Sequence, residues 1–416
     1  MNLMLSFLKN KLQKKKKSIY LLNDIFTPAS SAKISYIERK SIENSLSKAL
    51  DIKGKQIVIY GHSGSGKTTI LQHVLKSKSV IKITSRCIST STMDSIILDA
   101  FDELNPYYIQ SFSLNEKDTL KSELSADYLG IKSSINASLE VSTSETKNRI
   151  LPPQLTIQRL GQFIGQASAI WIIEDFHKVA DSEKTKISQT MKLFMDMAED
   201  YPKLKVVVLG AAEHGSEIVA HDRELSNRIT EIPVPLLKES EIELILRKGS
   251  EALNIKFEDK LIKAITNYSN CLATIAHQLA YNLCFNNNIH ETLRSCKTIY
   301  SIDLEQAVND FSNEKQDTYD QLYKAITEQK KGVYKNVEII LKNLAQLSEE
   351  YITQSELLKE IQKEHPNYPQ GNLSTYVKQL ASAKGEETLR NNSGRISFSD
   401  PFFKSYVKMI NYKYDS

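Results

Sequence analysis

The sequence predicts an α/β protein: a doubly wound parallel sheet, then an all-helical segment, then a C-terminal winged helix. Three observations predict it. Five short apolar runs, at 57–60, 80–84, 169–173, 205–210 and 230–234, alternate with stretches of helical periodicity, the pattern of a parallel sheet covered on both faces. From Ser240 to Gln329 the apolar repeats are helical, with no strand pattern among them. After Gly332, three helical patterns precede two strand-like runs joined through Asn391–Gly394, the order of a winged helix.

With 416 residues, 41% hydrophobic and 25% charged, the chain can build two or three cores and shows neither a disordered nor a collagen-like bias. Its four cysteines, Cys87, Cys271, Cys284 and Cys296, form no C-x-x-C pair and no metal-ligand cluster, which points to a reducing cytoplasm, buried thiols and no zinc.

In chain order, Lys9, Lys11 and Lys14 to Lys17 make a basic arm within residues 1–22; subtracting these six from the net charge of +4 leaves −2 for the rest. The basicity is a tail: a solvated arm, or one that adheres to an anionic surface. Its apolar stretch precedes the charges, so it does not read as a signal peptide, and no later run approaches a membrane span. Residues 23–51 form an approach segment whose Ile42, Leu46 and Leu50 suit a helix, with Ile37 and Arg39 placed either to close over a base or simply to pack.

The run Lys55–Leu71, KQIVIYGHSGSGKTTIL, holds the main chemical motif. Gly61, Gly64, Gly66, Lys67 and Thr68 fill the spacing G-x-x-x-x-G-K-[ST] between a strand and a helix, as a phosphate-cradling P-loop requires. Glycines let backbone N–H groups approach an anion at the positive end of the helix. Lys67 reaches the β- and γ-phosphates, and the Thr68 hydroxyl can complete a Mg²⁺ shell. The nucleotide-binding candidates are Gly61, His62, Ser63, Gly64, Ser65, Gly66, Lys67, Thr68 and Thr69.

A second strand is expected at 80–84 and a helix over Ser91–Leu104 with Ile96, Ile97 and Phe101 inward. Residues 105–153, rich in Ser and Thr with hints of a hairpin, read as an insertion closed by Pro152-Pro153. A helix over Gln154–Gln166 follows. The run AIWII then reads as a strand buried on both faces, with Trp171 as core, and ends in Glu174 and Asp175. Adjacent carboxylates at such a strand end suit a Mg²⁺ ligand and a group that orients or deprotonates an attacking water. The loop between the last two strands carries Glu213, His214, His221, Arg223 and Arg228, and its arginines either pair on the surface or reach a γ-phosphate of their own or a neighbouring subunit.

The helical segment, 239–331, reads as a lid. In the winged helix, 332–416, helices are expected over Val337–Leu347, Thr353–Glu364 (Ser355 a candidate cap) and Asn372–Ala383, with a closing helix over Phe402–Ile410. Asn372, Ser374, Thr375, Lys378 and Gln379 are candidates to face DNA from the third helix, and Arg390 and Arg395 from the wing. The balance from Gly332 on, eleven Lys and Arg against ten Asp and Glu, is a weak electrostatic footprint for that role.

With the loop, the acidic strand end, the helical lid and the winged helix in this order, the chain resembles AAA+ and STAND-type P-loop ATPases, especially the origin-initiator-like branch with a C-terminal winged helix. The resemblance covers roughly Asn23 to Met409. It implies a P-loop ATPase core over 23–238, ATP and Mg²⁺ as ligands, and assembly into a homo-oligomer. The family's acidic pair usually reads Asp then Glu, so by position Glu174 would serve the metal with Thr68 and Asp175 the water. Gly210, Ala211 and Ala212 stand where the fourth strand should end in a polar sensor, and Ala273 stands about where the lid arginine belongs. Arg228 falls near the place of the arginine finger. These departures imply a slow switch rather than a fast motor.

The expectation is an ATP-binding, slowly hydrolysing switch that couples nucleotide state to double-stranded DNA or a protein partner through the winged helix. The alternatives are a non-hydrolysing nucleotide-binding adaptor that docks a protein effector, and an ATP-regulated DNA-binding protein.

Overall fold

The computed structural model describes residues 18–112, 156–211, 228–328, 335–382, 388–392 and 394–415. The lysine-rich part of the arm, the insertion beyond residue 112, Ala212 and the loop residues Glu213, His214, His221 and Arg223 lie outside the described residues. The chain divides into two compact units, 38–235 and 1–37 with 236–416.

In the unit 38–235, helix α1 (Lys40–Asp51) leads into β1 (Gln56–Tyr60), α2 (Lys67–Ser77), β2 (Ile81–Arg86) and α3 (Met93–Phe112). Helix α4 (Ile157–Gln166), β3 (Ala169–Glu174), α5 (Asp181–Asp196), β4 (Lys205–Gly210) and β5 (Ile229–Pro233) complete it. The five strands are parallel, in the order β5-β1-β4-β3-β2. Period-2 alternation sends Val58, Trp171, Ile173, Val206 and Val208 to one face, where Ile96, Phe101, Leu160, Ile187 and Phe194 from α3, α4 and α5 bury them. Trp171 is fully buried, as expected, and its indole N–H donates to the Ser85 hydroxyl at 3.0 Å. Helix α3 runs eight residues past the expected Leu104, into the segment read as an insertion.

The amino edge of this sheet is closed by polar groups. Lys205, 2% exposed, donates its ammonium to the carbonyls of Ile52 and Lys55, and burial lowers its pKa to about 8. The carboxyl edge carries the loops with the candidate site.

The second unit begins with residues 18–37, whose single helical turn Leu22–Ile25 buries Leu22 and Ile25 among the helices that follow residue 238. These are α6 (Glu239–Leu253), α7 (Asp259–Ser269), α8 (Ala273–Asn286), α9 (Leu304–Glu314) and α10 (Gln321–Thr327). The Thr27 N–H donates to Nδ1 of buried His277 at 3.0 Å, and burial lowers that imidazole's pKa to about 4. The segment is not wholly helical. Ile255–Phe257 (β6) and Lys297–Ile299 (β7) pair in parallel; each is too short to show a period, and the pairing partner lies some forty residues away.

The winged helix comprises α11 (Asn336–Gln346), β8 (Ile352–Thr353), α12 (Gln354–Glu364), α13 (Gln370–Ser382), β9 (Leu389–Asn392), β10 (Arg395–Phe398) and α14 (Pro401–Asp415). Its sheet has three strands, since β8 pairs with β10, where the sequence pattern showed two. Thr353, not Ser355, caps α12: its hydroxyl accepts from the Glu356 N–H while the Glu356 carboxylate accepts from the Thr353 N–H. Helix α14 joins two cores, with Phe403, Tyr406 and Val407 in the winged helix and Met409 among the preceding helices. Lys404 donates to the carbonyls of Leu347 and Glu349, and Lys408 to the carbonyl and side chain of Asn267.

Candidate functional site

The loop after β1 is shaped for an anion. Gly61, at φ +146°, lies so close to β5 that a Cβ would stand 2.2 Å from the Val234 carbonyl oxygen. Gly64 and Gly66 also have positive φ, and Gly66 is the N-cap of α2 with no side chain to offer. The first bond of that helix runs from the Ile70 N–H to the Gly66 carbonyl, so the N–H groups of Lys67, Thr68 and Thr69 have no partner within the helix. The buried Ser65 hydroxyl also has no partner. Unsatisfied donors at the positive end of a helix fit a phosphate.

Lys67 is the first residue of α2, and its ammonium donates to the carbonyls of Gly61 at 2.9 Å and His62 at 2.7 Å. Burial lowers its pKa to about 8, against the opposing pull of the Asp175 charge. Asp175 follows β3 with φ +59°, half-exposed, and pairs with Lys178 at 2.6 Å. Glu174, the last residue of β3, pairs instead with Arg86 at 3.3 Å, which the β2–β3 register sets directly opposite. A hydroxyl and a carboxylate are hard oxygen donors that suit Mg²⁺, which keeps waters and phosphate oxygens for the rest of its shell; Thr68 and Glu174 are the residues that would hold it. Among the described residues no group of three or more His, Cys, Asp or Glu is set to bind a metal by itself.

His177 stands two residues after the acidic pair, where the sequence pattern assigns it no role. Phe176, buried in the core, anchors the short turn Phe176–Lys178, and the imidazole Nδ1 accepts from the Ala211 N–H at 3.1 Å. Burial lowers its pKa, with the ammoniums of Lys178, Lys67 and Lys184 acting in the same direction and Asp175 against it. Lys178 was legible in principle as the third residue after an acid. Arg86 was not, because nothing in a single sequence says that β2 lies beside β3.

Other candidates stand elsewhere. Arg228 precedes β5 at the amino edge and pairs with Asp196 at 2.9 Å; a five-residue strand puts it roughly 16 Å from the edge that carries the loop, so it does not serve its own phosphate site. Asn372 donates to Asn336 and Ser374 to Gln354, which ties both into the winged helix, whereas Thr375, Lys378 and Arg395 are exposed. Cys87, near Asp175, has its thiol pushed up to about 12 by burial and the Asp175 and Asp99 charges, so it is no nucleophile.

No family model matches the sequence, and no curated protein matches it. Among solved structures the chain is similar to the Walker-type ATPase PABY2304 of Pyrococcus abyssi, at 12% identity over 92% of this chain and 99% of that one, with a TM-score of 0.54. It is also similar to the Aeropyrum pernix ORC2 protein in its ADPNP–ADP complexes (12% identity, 94% and 98% covered, TM-score 0.49) and to the Aeropyrum pernix ORC1 protein in complex with DNA (10%, 95% and 98%, 0.45). The first is a likeness of fold over nearly the whole chain. The fold is an α/β P-loop-type fold: a five-stranded parallel sheet flanked by helices, with a winged helix toward the C-terminus. Among the described residues no helix is long and apolar enough to cross a membrane.

Proposed function

We propose that this chain binds MgATP at residues 61–69, hydrolyses it slowly, and uses the nucleotide state to change how the unit with the winged helix meets DNA or a protein partner. The observation that carries the reading is the loop itself, with three positive-φ glycines, open N–H groups at the head of α2, and a partly buried ammonium from Lys67. That a protein of the same fold is named a Walker-type ATPase supports it. Lys67 stabilises phosphate charge, Thr68 and Glu174 hold Mg²⁺, and Asp175 orients the attacking water. Bound Mg²⁺ would neutralise charge on the phosphate oxygens. Arg228, exposed at the far edge, has a use only toward a neighbouring copy in a homo-oligomer.

The test is ATP turnover and binding by the wild type and Lys67→Ala, with and without double-stranded DNA. Turnover that Lys67→Ala abolishes supports the reading, and stimulation by DNA would make the winged helix a DNA reader.

A second reading is a nucleotide-binding adaptor without turnover that docks a protein effector. The pairing of both carboxylates with cations, Glu174 with Arg86 and Asp175 with Lys178, favours it. Tight ATP binding with no turnover under any condition would decide for the adaptor. A third, an ATP-regulated DNA-binding protein, rests on Lys378 and Arg395, and is weakened by the burial of Lys404 and Lys408, two of the eleven basic residues after Gly332.

A further inference from the structure

Three strand ends meet at the carboxyl edge of the sheet: β1 opens into the phosphate loop, β3 into Glu174 and Asp175, and β4, which lies between them, ends in Gly210 and Ala211. At its described end β4 therefore offers no polar side chain to that edge, although it lies in register with β1 as far as Tyr60–Gly210. What it does offer is the Ala211 N–H, and this is given to His177. An imidazole that accepts at Nδ1 is neutral there and carries its proton on Nε2, so the ring is a fixed donor with one N–H left to give. Its bond to Ala211, the residue after a strand that runs in register with β1 as far as Tyr60, sets the ring at the edge where β1 opens into the phosphate loop. Phe176 in the core and the bond from Ala211 hold the turn on both sides, so the donor is preorganised.

We propose that His177 takes the place a polar side chain at the end of β4 would fill: its Nε2–H donates to a terminal phosphate oxygen of a nucleoside triphosphate in the loop. This rests on the reading of residues 61–69 as a nucleotide site. The imidazole exchanges no proton. It distinguishes a triphosphate from a diphosphate, and it stabilises charge on the phosphoryl group as water attacks.

Two isosteres separate the halves of the ring. Asparagine places its Oδ1 near Nδ1, keeping the acceptor for Ala211 and losing the remote donor, while glutamine reaches Nε2 with an amide N–H. The experiment measures ATP and ADP affinity by calorimetry, ATP turnover, and melting temperature for the wild type, His177→Asn and His177→Gln. His177→Asn is expected to lose about 10- to 100-fold in ATP affinity or turnover, the range for one hydrogen bond to a charged group, with ADP affinity within about 2-fold and melting unchanged. His177→Gln is expected to restore much of the loss. A purely structural ring would give the opposite order, with asparagine tolerated. If His177→Asn leaves both the ATP-to-ADP affinity ratio and the turnover at wild-type values, the inference is wrong while the nucleotide site stands. If the wild type binds neither nucleotide, the site reading fails and the inference with it. A wild type that binds ATP without turnover is judged on the affinity ratio alone.

Discussion

Lys67 and Lys404 are both buried enough that their ammonium pKa falls to about 8, and both donate to two backbone carbonyls. They serve different ends. Lys67 lies at the open edge of the sheet, beside the Ser65 hydroxyl and the first N–H groups of α2, which have no partner within the helix, so a phosphate oxygen can replace the carbonyls it now holds. Lys404 lies inside the winged helix, where the carbonyls of Leu347 and Glu349 have no other use for it than to tie α14 to the end of α11. The same contrast runs through the two units. In residues 38–235 the ionisable groups at the carboxyl edge, Glu174 and Asp175 among them, remain reachable from solvent. In the other unit Lys404, Lys408 and His277 are buried and join distant segments. A charge counted in the sequence is thus not a charge on the surface, and the winged helix is less basic outside than its composition suggests.

The largest effect is expected at Gly61. Gly61→Ala puts a Cβ against the Val234 carbonyl at a positive φ, and is expected to cost about 3 kcal/mol or more along with nucleotide binding. Denaturant melts and ATP titration of the variant check this, and a stable, ATP-binding Gly61→Ala protein would remove the constraint on the loop.

In the other unit the matching test is acid. His277 in the folded chain titrates at about 4, below the ordinary 6.5, so as pH falls the unfolded chain takes up the proton first. Stability is therefore expected to drop by about 3 kcal/mol between pH 6.5 and 4, with no contribution from this group above that window. His277→Gln should flatten that part of the stability–pH curve, and an unchanged slope in urea melts would argue against the buried acceptor.

A smaller effect is expected at Asp175. Asp175→Asn should reduce turnover about 100-fold with ATP still bound, whereas Glu174→Gln should weaken the Mg²⁺ dependence of binding. Measuring turnover against Mg²⁺ concentration for both variants sharpens the division of labour, and normal hydrolysis by Asp175→Asn would sink its assigned role.

The smallest effect concerns charge at the winged helix. If it binds duplex DNA, Arg395→Ala should lower the slope of log affinity against log salt by about 0.9, one phosphate contact, and Lys404→Met should leave the slope unchanged. A slope that responds to Lys404 but not to Arg395 would mean that Lys404, not Arg395, is the residue in reach of a phosphate.

Much of the candidate site was legible because it is local. The residues from Gly61 to Thr68 fill a fixed spacing, and an acidic pair closing the apolar run before Glu174 needs only a few neighbours to be noticed. His177 follows the acidic pair in the sequence, but its role was not legible there because it depends on a bond from Ala211, a backbone N–H that leaves no trace in residue type. Asn372 and Ser374 were readable as polar positions on a recognition helix, but the partners that claim them, Asn336 and Gln354, sit on other helices.

By itself the sequence determined the five strands of the sheet, the loop, the acidic strand end and the three-helix-plus-hairpin pattern, since periodicity and turn chemistry act over a few residues. Tertiary structure alone decided that β4 lies between β1 and β3 and that residues 18–37 belong with the helices after residue 238. It also decided that Ile255–Phe257 and Lys297–Ile299 pair, and that Arg86 meets Glu174. Each of these joins segments far apart in the chain, where the choice of partner depends on which buried surfaces and backbone donors are satisfied together, and no local pattern records that choice.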